Sequence, residues 1–350
     1  MTSRRIAWVA ASLQGLLSGT LSTIVITLGA PRIGRDRGLD WMEIGTVLLG
    51  ADSVEMEPRW WHIAAGVFVH QSADLSWAVV FFALGRYWTA RLSPGALFML
   101  ALPWAALTAA IEYYAILPRL QPLVPMQVPF WTALGVHITS GLLYPFYPYI
   151  RAVVTRQALS WTAFSHVFAA ALGAGVAVLI VLEVLARFDR EPSWPLSSAD
   201  ERSATHRFLR HMSAHHAVGV ELARLAASQA SDPTLQRLGR LMVANQAGEA
   251  QVIERWWRSW TKQSLPVMTA GELAGIPGMP SPARIAALAA ERAEQFDAAF
   301  VPVMVAHHRG AIAMSDDVFQ SADDPRVLLL ADSIRHAQAR QISAMTTITR

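Results

Sequence analysis

The first half of the chain consists of long apolar stretches that charged residues rarely interrupt. No charged residue lies between Arg5 and Arg32 or between Arg119 and Arg151, and three further stretches of similar length contain a single acid each. Because about 20 apolar residues suffice to cross the hydrocarbon core of a bilayer, this pattern predicts transmembrane helices. The five predicted spans cover about residues 6–30, 61–85, 95–117, 128–150 and 162–186.

The pattern of the chain changes near residue 187. Residues 187–202 are polar, contain two prolines and predict a linker between a membrane domain at 1–186 and a second domain at 203–350. In the second domain, apolar residues recur every three to four positions, as they do in amphipathic helices. The sequence therefore predicts an all-α protein in which about five spans precede a soluble helical domain.

The second domain contains an internal repeat, with copies at about 203–260 and 296–349. Seven identities recur 92 residues later without a gap, which indicates a duplicated helical hairpin. Each copy has an Asp-Pro pair that suits the N-cap and first position of a helix. We therefore predict an up-down four-helix bundle, in which Pro302 kinks the third helix or delays its start. The repeated residues are Phe208, Met212, His215, His216, Asp232, Pro233 and Gln246, which recur as Phe300, Met304, His307, His308, Asp324, Pro325 and Gln338. The predicted helices cover about 203–229, 233–260, 297–321 and 325–348, with a short helical piece at 283–294.

Composition narrows the chemistry that the chain can perform. Apolar residues make up 53% and charged residues 16%, against about a quarter charged in soluble domains. The net charge of +3 is spread over both halves, so we expect no nucleic-acid partner. Cysteine is absent, which excludes disulfides, thiolate metal sites and cysteine nucleophiles. The sequence also lacks hydrolase, zinc-protease and phosphate-loop motifs, and this favours a binding protein over an enzyme.

Paired histidines flanked by methionines are the candidate chemistry of the repeat. Met304 lies three and four residues before His307 and His308, so the three share one helical face, and Met314 follows seven residues after His307. The first copy has Leu222 where the second copy has this last methionine. Imidazole suits several transition metals, whereas thioether sulfur favours Cu(I), so copper is the predicted ion and zinc the second choice. The candidate ligands are Met212, His215, His216, Met304, His307, His308 and Met314.

Several motifs of residues 203–349 also carry a family resemblance. They are Met-x-x-His-His at 212–216 and 304–308, Gly-Ala-Ile-x-Met at 310–314, Gln-x-x-Glu at 246–249 and Gln-x-x-Gln-Ile-x-x-Met at 338–345. With them, the segment resembles the bacterial "domain of unknown function 305" family of ferritin-like helical bundles. The resemblance implies an exported or membrane-attached protein, and for some members copper tolerance through His- and Met-rich sites. Leu222 and Gln341 depart from the family pattern and distinguish the two copies.

Five ionisable side chains lie well inside the predicted spans. Such groups are costly in lipid and usually face the interior of a helix bundle or a polar path. One interpretation is that they form hydrogen bonds between helices. The other is a metal or haem site, which would make the chain a membrane oxidoreductase. The five residues are His70, Asp74, Glu112, His137 and His166.

These patterns together predict an integral membrane protein, of the bacterial inner membrane given the resemblance. Arginines flanking the spans favour an N-terminus on the inside and an extracytoplasmic second domain. The expected partners are the lipid bilayer and a metal ion. The predicted role is copper binding, for sequestration or delivery in metal tolerance. The alternatives are the membrane oxidoreductase and a structural helical scaffold without bound metal.

Overall fold

The computed structural model describes residues 2–157 and 199–348 except 323, together with positions 162, 165, 166 and 169. Within these residues the chain is helical and contains no strand. The predicted fifth span at 162–186 lies outside the described residues apart from those four positions, and so does the linker as far as residue 198.

The helices are labelled in chain order. In the first part they are α1 (Ser3–Gly29), α2 (Arg37–Leu49), α3 (Trp60–Ala78), α4 (Pro94–Ile111), α5 (Leu123–Gln127), α6 (Phe130–Gly141) and α7 (Tyr147–Thr155). Short helical segments there are Ala30–Ile33, Ala51–Ser53, Val79–Leu84, Arg86–Thr89, Glu112–Ile116, Leu117–Leu120 and Tyr144–Phe146. In the second part they are α8 (Ala199–Gln229), α9 (Pro233–Thr261), α10 (Ala270–Ala274), α11 (Pro282–Ala289), α12 (Ala293–Ser321) and α13 (Pro325–Ile348).

Three helices of the described chain are long and apolar enough to cross a membrane, and they fall on the first three predicted spans. They are Ser3–Gly29, Trp60–Leu84 and Pro94–Leu120. The second and third continue α3 and α4 through segments wound as π-helix, Val79–Leu84 and Glu112–Ile116.

The fourth predicted span, 128–150, is two helices rather than one. α6 ends at Gly141, a 3₁₀ turn covers Tyr144–Phe146, and α7 begins directly after it. Pro145 and Pro148 cause the break, because proline lacks the N–H that a continuing helix would donate to the preceding turn. The apolar pattern indicated the length of this segment but not the interruption of the helix within it.

The three helices that could cross a membrane, called the membrane helices below, run antiparallel to their neighbours. Gly15 of α1 lies against Leu75 of α3, where a Cβ atom on Gly15 would come within 2.7 Å of the Leu75 Cα, and further along Ser22 lies beside His70. α4 packs against α3 in the opposite direction as well. The connections that follow α1 and α4 therefore lie at the same end of the membrane helices.

The second part of the chain packs against these two connections. Arg237 donates a hydrogen bond to Asp52, and the carbonyl oxygen of Pro125 lies 3.0 Å from His336 Nε2. Trp131, at the start of α6, donates to Asp332 from the same end. The bundle is thus held at the end of the membrane helices that is opposite the N-terminus.

The bundle itself has two apolar layers, one on each side of its middle. The tryptophan layer is defined by Trp256, Trp257 and Trp260, which pack with residues of α8, α12 and α13. The methionine layer is defined by Met242, Met304 and Met345, which pack with residues of α8 and α12. The level between the two layers holds the paired histidines of α8 and α12.

The direction of each helix follows from the layers that its two ends enter. α8 and α13 run from the tryptophan layer to the methionine layer, whereas α9 and α12 run the other way. Spatial neighbours are antiparallel, but α9 and α12, which follow one another in the chain, point the same way. The predicted up-down order therefore describes the packing but not the chain order. The connection at 262–292 returns along the bundle, with Leu273 against the tryptophan layer and Leu288 in the methionine layer.

The helix starts of the repeat have the predicted caps. The Asp232 carboxylate accepts hydrogen bonds from the N–H groups of residues 234 and 235. The Asp324 carboxylate accepts from the N–H of Arg326 and pairs with its guanidinium group. Pro302 lies inside α12, which begins nine residues earlier at Ala293, so the proline does not delay the helix start.

Candidate metal centre

Four imidazoles occupy the middle of the bundle, and all four are 0% exposed. His215 and His216 come from α8, and His307 and His308 come from α12. The rings of His215 and His307 stack in parallel, with centroids 3.7 Å apart and planes 9° from parallel. Antiparallel packing of the two helices thus brings together residues that are 92 positions apart in the sequence.

Two of the imidazoles face a side chain from the pairing helices. His308 Nε2 lies 2.6 Å from Gln341 Oε1, and because an amide oxygen only accepts, this nitrogen carries the proton. At the equivalent position of the first copy, His216 Nε2 lies 2.8 Å from Glu249 Oε2, an ion-pair distance without hydrogen-bond geometry. In both residues the contact is made by Nε2, so Nδ1 faces away from the pairing helix.

Each imidazole has a buried nitrogen that makes no hydrogen bond to any described residue. These atoms are both nitrogens of His215, both nitrogens of His216, Nε2 of His307 and Nδ1 of His308. His307 Nδ1 is directed to the Gly278 carbonyl oxygen at 3.3 Å, and the backbone of His307 lies close enough to His215 to favour its protonated form. Buried polar atoms are nearly always hydrogen-bonded in folded proteins, so a cluster of ring nitrogens without hydrogen bonds indicates a missing partner.

Burial favours the neutral form of three of these imidazoles, His215, His307 and His308. Removal from water lowers the pKa of His307 and of His308 to about 3, with the neighbouring imidazoles lowering it further. The same causes place the pKa of His215 well below its ordinary value. Neutral imidazole is the form that binds a metal ion, since the lone pair of one ring nitrogen is then available.

Two further residues at this level were not predicted as part of the site. Neither amide atom of Gln246 has a hydrogen-bond partner within the described chain, although the residue is 1% exposed. Its Oε1 and His307 Nε2 both approach Gly219, where a Cβ atom would lie 1.9 Å and 2.7 Å from them. Because Gly219 has no side chain, Gln246 and His307 can occupy the space beside it. The repetition of Gln246 as Gln338 was the available sequence signal, whereas Gly219 had none.

The structure divides the predicted methionines between the two layers. Met212 and Met314 pack together in the tryptophan layer, and Met304 packs in the methionine layer with Leu222. The seven predicted ligands therefore do not form one coordination shell. Instead, four imidazoles lie at one level and thioethers lie above and below them.

The imidazoles are not arranged around a single point. Among the described residues, no three His, Asp or Glu side chains are gathered as a metal ion would require. The donor types nevertheless fit a soft ion, because neutral imidazoles with free lone pairs lie between layers that contain thioethers. A bound ion would need the stacked rings of His215 and His307 to separate, or a thioether or amide oxygen to complete its shell.

The ionisable groups of the predicted spans are arranged differently. Asp74 Oδ2 accepts hydrogen bonds from Ser22 and Ser140 and lies 3.3 Å from His70 Nε2. His137 is enclosed in the same way, with Nε2 3.2 Å from Glu112 Oε2.

His166 is exposed. His70 and His137 thus contact carboxylates on their Nε2 atoms, and the three histidines of the predicted haem or metal site do not come together as a ligand set in the described residues.

Comparison with known proteins identifies the second part of the chain. Residues 205–349 match the family described as "Domain of unknown function (DUF305)", and the resemblance predicted for 203–349 is confirmed. No curated protein sequence matches the chain.

Similar solved structures cover the same portion. CopM in the Cu(II)-bound form is 25% identical, with a TM-score of 0.37, and the match covers 41% of this chain and 94% of that chain. CopM in the Cu(I)-bound form is 25% identical, with a TM-score of 0.36 and the same coverage. A DUF305 fragment from Deinococcus radiodurans is 27% identical, with a TM-score of 0.39, covering 45% of this chain and 97% of that chain.

Proposed function

We propose that this protein is a membrane-anchored copper-binding protein whose bundle holds the ion at the level of His215, His216, His307 and His308. One observation carries the proposal: four fully buried imidazoles each have a nitrogen without a hydrogen bond to a described residue. Leaving such groups unpaired costs about 1–3 kcal/mol each. A bound cation would satisfy them together.

The type of ion follows from the donors. Burial favours neutral imidazoles at His215, His307 and His308, and thioethers lie in both neighbouring layers, a combination that suits Cu(I) better than a hard cation. The sequence contains no cysteine to compete for a soft ion. We propose that the stacked pair opens to admit the ion, and that Met212, Met304 or Met314 completes its shell.

We also infer that the bundle arose by duplication of one helical hairpin and has a ferritin-like arrangement. Positions 92 residues apart make equivalent contacts, as Glu249 with His216 and Gln341 with His308 do. The single long connection between α9 and α12 is the topology that ferritin-like bundles use.

The membrane helices would anchor the bundle at one surface of the bilayer. The bundle packs on the connections after α1 and α4, which lie opposite the N-terminus. With the N-terminus inside, as the flanking arginines favour, the copper site would face the extracytoplasmic side. A site fixed there suits sequestration or delivery of copper in metal tolerance.

The test is an anaerobic Cu(I) titration of the full chain in detergent against a chromogenic competitor. The double variant His307→Ala/His308→Ala should weaken the affinity at least tenfold, about 1.4 kcal/mol. The matched control is His211→Ala/His336→Ala, which removes two imidazoles of the same bundle from outside the cluster and should leave the affinity unchanged. Absence of Cu(I) binding by the wild type, or equal losses in both variants, would contradict the proposal. Zn(II) titrated in parallel shows whether the site selects a soft ion.

A further inference from the structure

A glutamine from the membrane region enters the bundle beside the imidazoles. Gln127, the last residue of α5, is 0% exposed. Its Oε1 accepts hydrogen bonds from Asn245 Nδ2 at 2.5 Å and from Gln341 Nε2 at 3.3 Å. Gln341 is the residue that contacts His308. The side chain of Gln127 is therefore hydrogen-bonded to Gln341, which in turn contacts the candidate ligand His308.

The backbone of Gln127 is fixed by a buried ion cluster of the membrane region. Its carbonyl oxygen accepts a hydrogen bond from Arg35 Nη1 at 3.1 Å. Arg35 is 3% exposed and pairs with Asp40 at 2.6 Å and with Glu43 at 3.3 Å. Because these partners lie in and just before α2, the position of Gln127 is set by the first part of the chain.

The contact between Gln127 and Gln341 determines which end of the Gln341 amide faces His308. An amide group has a donating end and an accepting end, and its orientation depends on its neighbours. Gln127 Oε1 only accepts, so it holds the Gln341 NH₂ group. The Gln341 oxygen must then face His308 Nε2, which places the proton on Nε2 and leaves the lone pair of Nδ1 free.

The first copy of the repeat needs no such assistance. There, Glu249 occupies the position of Gln341, and both oxygens of a carboxylate accept hydrogen bonds in any orientation. An amide at the equivalent place can turn either end to the imidazole. The departure of Gln341 from the family pattern therefore coincides with the point at which the membrane region reaches into the bundle.

We propose that Gln127 is a positioning residue, supplied by the membrane region, that orients Gln341 and thereby fixes the tautomer of His308. The inference rests on the proposed copper site and assigns it a contact from outside the bundle. Groups that hydrogen-bond a ligating histidine set its tautomer and ring orientation, and their loss typically weakens metal affinity 10- to 100-fold.

The experiment compares variants of the full chain in detergent. Gln127→Leu removes the acceptor, and Gln127→Glu keeps it. The matched control is Gln121→Leu: Gln121 is a buried glutamine six residues earlier whose hydrogen bonds, to the carbonyl of Thr46 and the N–H of Leu123, stay within the membrane region. Cu(I) affinity is measured by competition, and the His308 tautomer is read from ring ¹⁵N shifts of histidine-labelled protein without metal.

Gln127→Leu should weaken Cu(I) binding about tenfold and raise the fraction of His308 that is protonated on Nδ1, by the effect expected for loss of a histidine-orienting group. Gln127→Glu should restore both values toward wild type, and Gln121→Leu should change neither. Gln341→Leu should abolish the effect of the Gln127 substitution, because the two act through one contact.

Unchanged affinity and tautomer in Gln127→Leu would overturn the inference, and so would an equal change in Gln121→Leu, which would indicate a general packing effect. The tautomer is measured without metal, so it tests the orienting contact even if the wild type binds no copper. Failure of the proposed function and failure of this inference are therefore distinguishable.

Discussion

Two sets of buried histidines in this protein differ in how their nitrogens are used. In the first part of the chain, His62 accepts from the N–H of Arg59 and lies 2.9 Å from the carbonyl of Ser53, so both of its ring nitrogens have partners. In the bundle, His215 is equally buried and makes no hydrogen bond to a described residue. Both rings are fully buried, but of the two only His215 has ring nitrogens without a hydrogen bond to a described residue.

The comparison leads to different expectations for the two regions. Paired imidazoles and carboxylates hold helices together, and their loss should reduce stability. Unpaired imidazoles reduce stability and persist where a ligand satisfies them, which is why local violations of packing rules concentrate at functional sites. Four predictions test buried groups of the two regions, from the largest expected effect to the smallest.

Asp74→Ala should destabilise the membrane region by about 2–4 kcal/mol while leaving Cu(I) affinity unchanged. The substitution removes the acceptor of Ser22 and Ser140 and the partner of His70, contacts that join α1, α3 and α6. Thermal unfolding in detergent measures the loss. The control is Ser76→Ala on the same helix, whose hydroxyl bonds only to a carbonyl of its own helix. A copper affinity that falls with Asp74→Ala would contradict this prediction.

His215→Leu should stabilise the metal-free protein by about 1–3 kcal/mol, because it removes two buried nitrogens that lack hydrogen bonds. The same change should weaken Cu(I) binding about tenfold. His62→Leu is the matched control, since it removes an equally buried ring whose nitrogens are paired, and it should destabilise. If both variants lose stability, the bundle imidazoles are structural.

Glu43→Gln should alter how stability depends on pH. Burial raises the pKa of Glu43 from 4.5 to about 8, although Arg35 opposes the shift. The folded state thus holds the proton more tightly than the unfolded state, so this contribution is complete below pH 4.5 and is lost as pH rises through 8. Between pH 4.5 and 8, the free energy of unfolding of the variant should fall less steeply than that of the wild type, as measured by unfolding at a series of pH values. An unchanged slope would show that Glu43 is ionised in the folded protein.

Leu222→Met should raise Cu(I) affinity a few-fold, which corresponds to about 1 kcal/mol or less. Leu222 packs in the methionine layer with Met304, so the change adds a thioether to that layer from the face of α8 that carries His215. Leu288→Met adds a thioether to the same layer from the connection at 262–292 and is the control. Equal gains in both would mean that the position of the thioether does not matter.

Much of the fold could be predicted from local pattern. Long apolar stretches with few charges predicted the three helices that could cross a membrane. The repeat predicted the long helices of the bundle within four residues, since α8 and α12 begin at Ala199 and Ala293. The break in the fourth span and the shared direction of α9 and α12 were missed. The first depends on Pro145 and Pro148, which hydrophobic periodicity does not take into account. The second depends on how the connection at 262–292 crosses the bundle in three dimensions.

The sequence by itself determined that the helices form and that two pairs of histidines recur on helix faces, because helical spacing and capping are properties of neighbouring residues. Only the tertiary structure decided that His215 stacks on His307 and that Gln127 reaches Gln341. Those contacts join segments that are far apart in the chain. They form because burial of apolar layers fixes the helices against one another, and no local spacing specifies which polar atoms then meet.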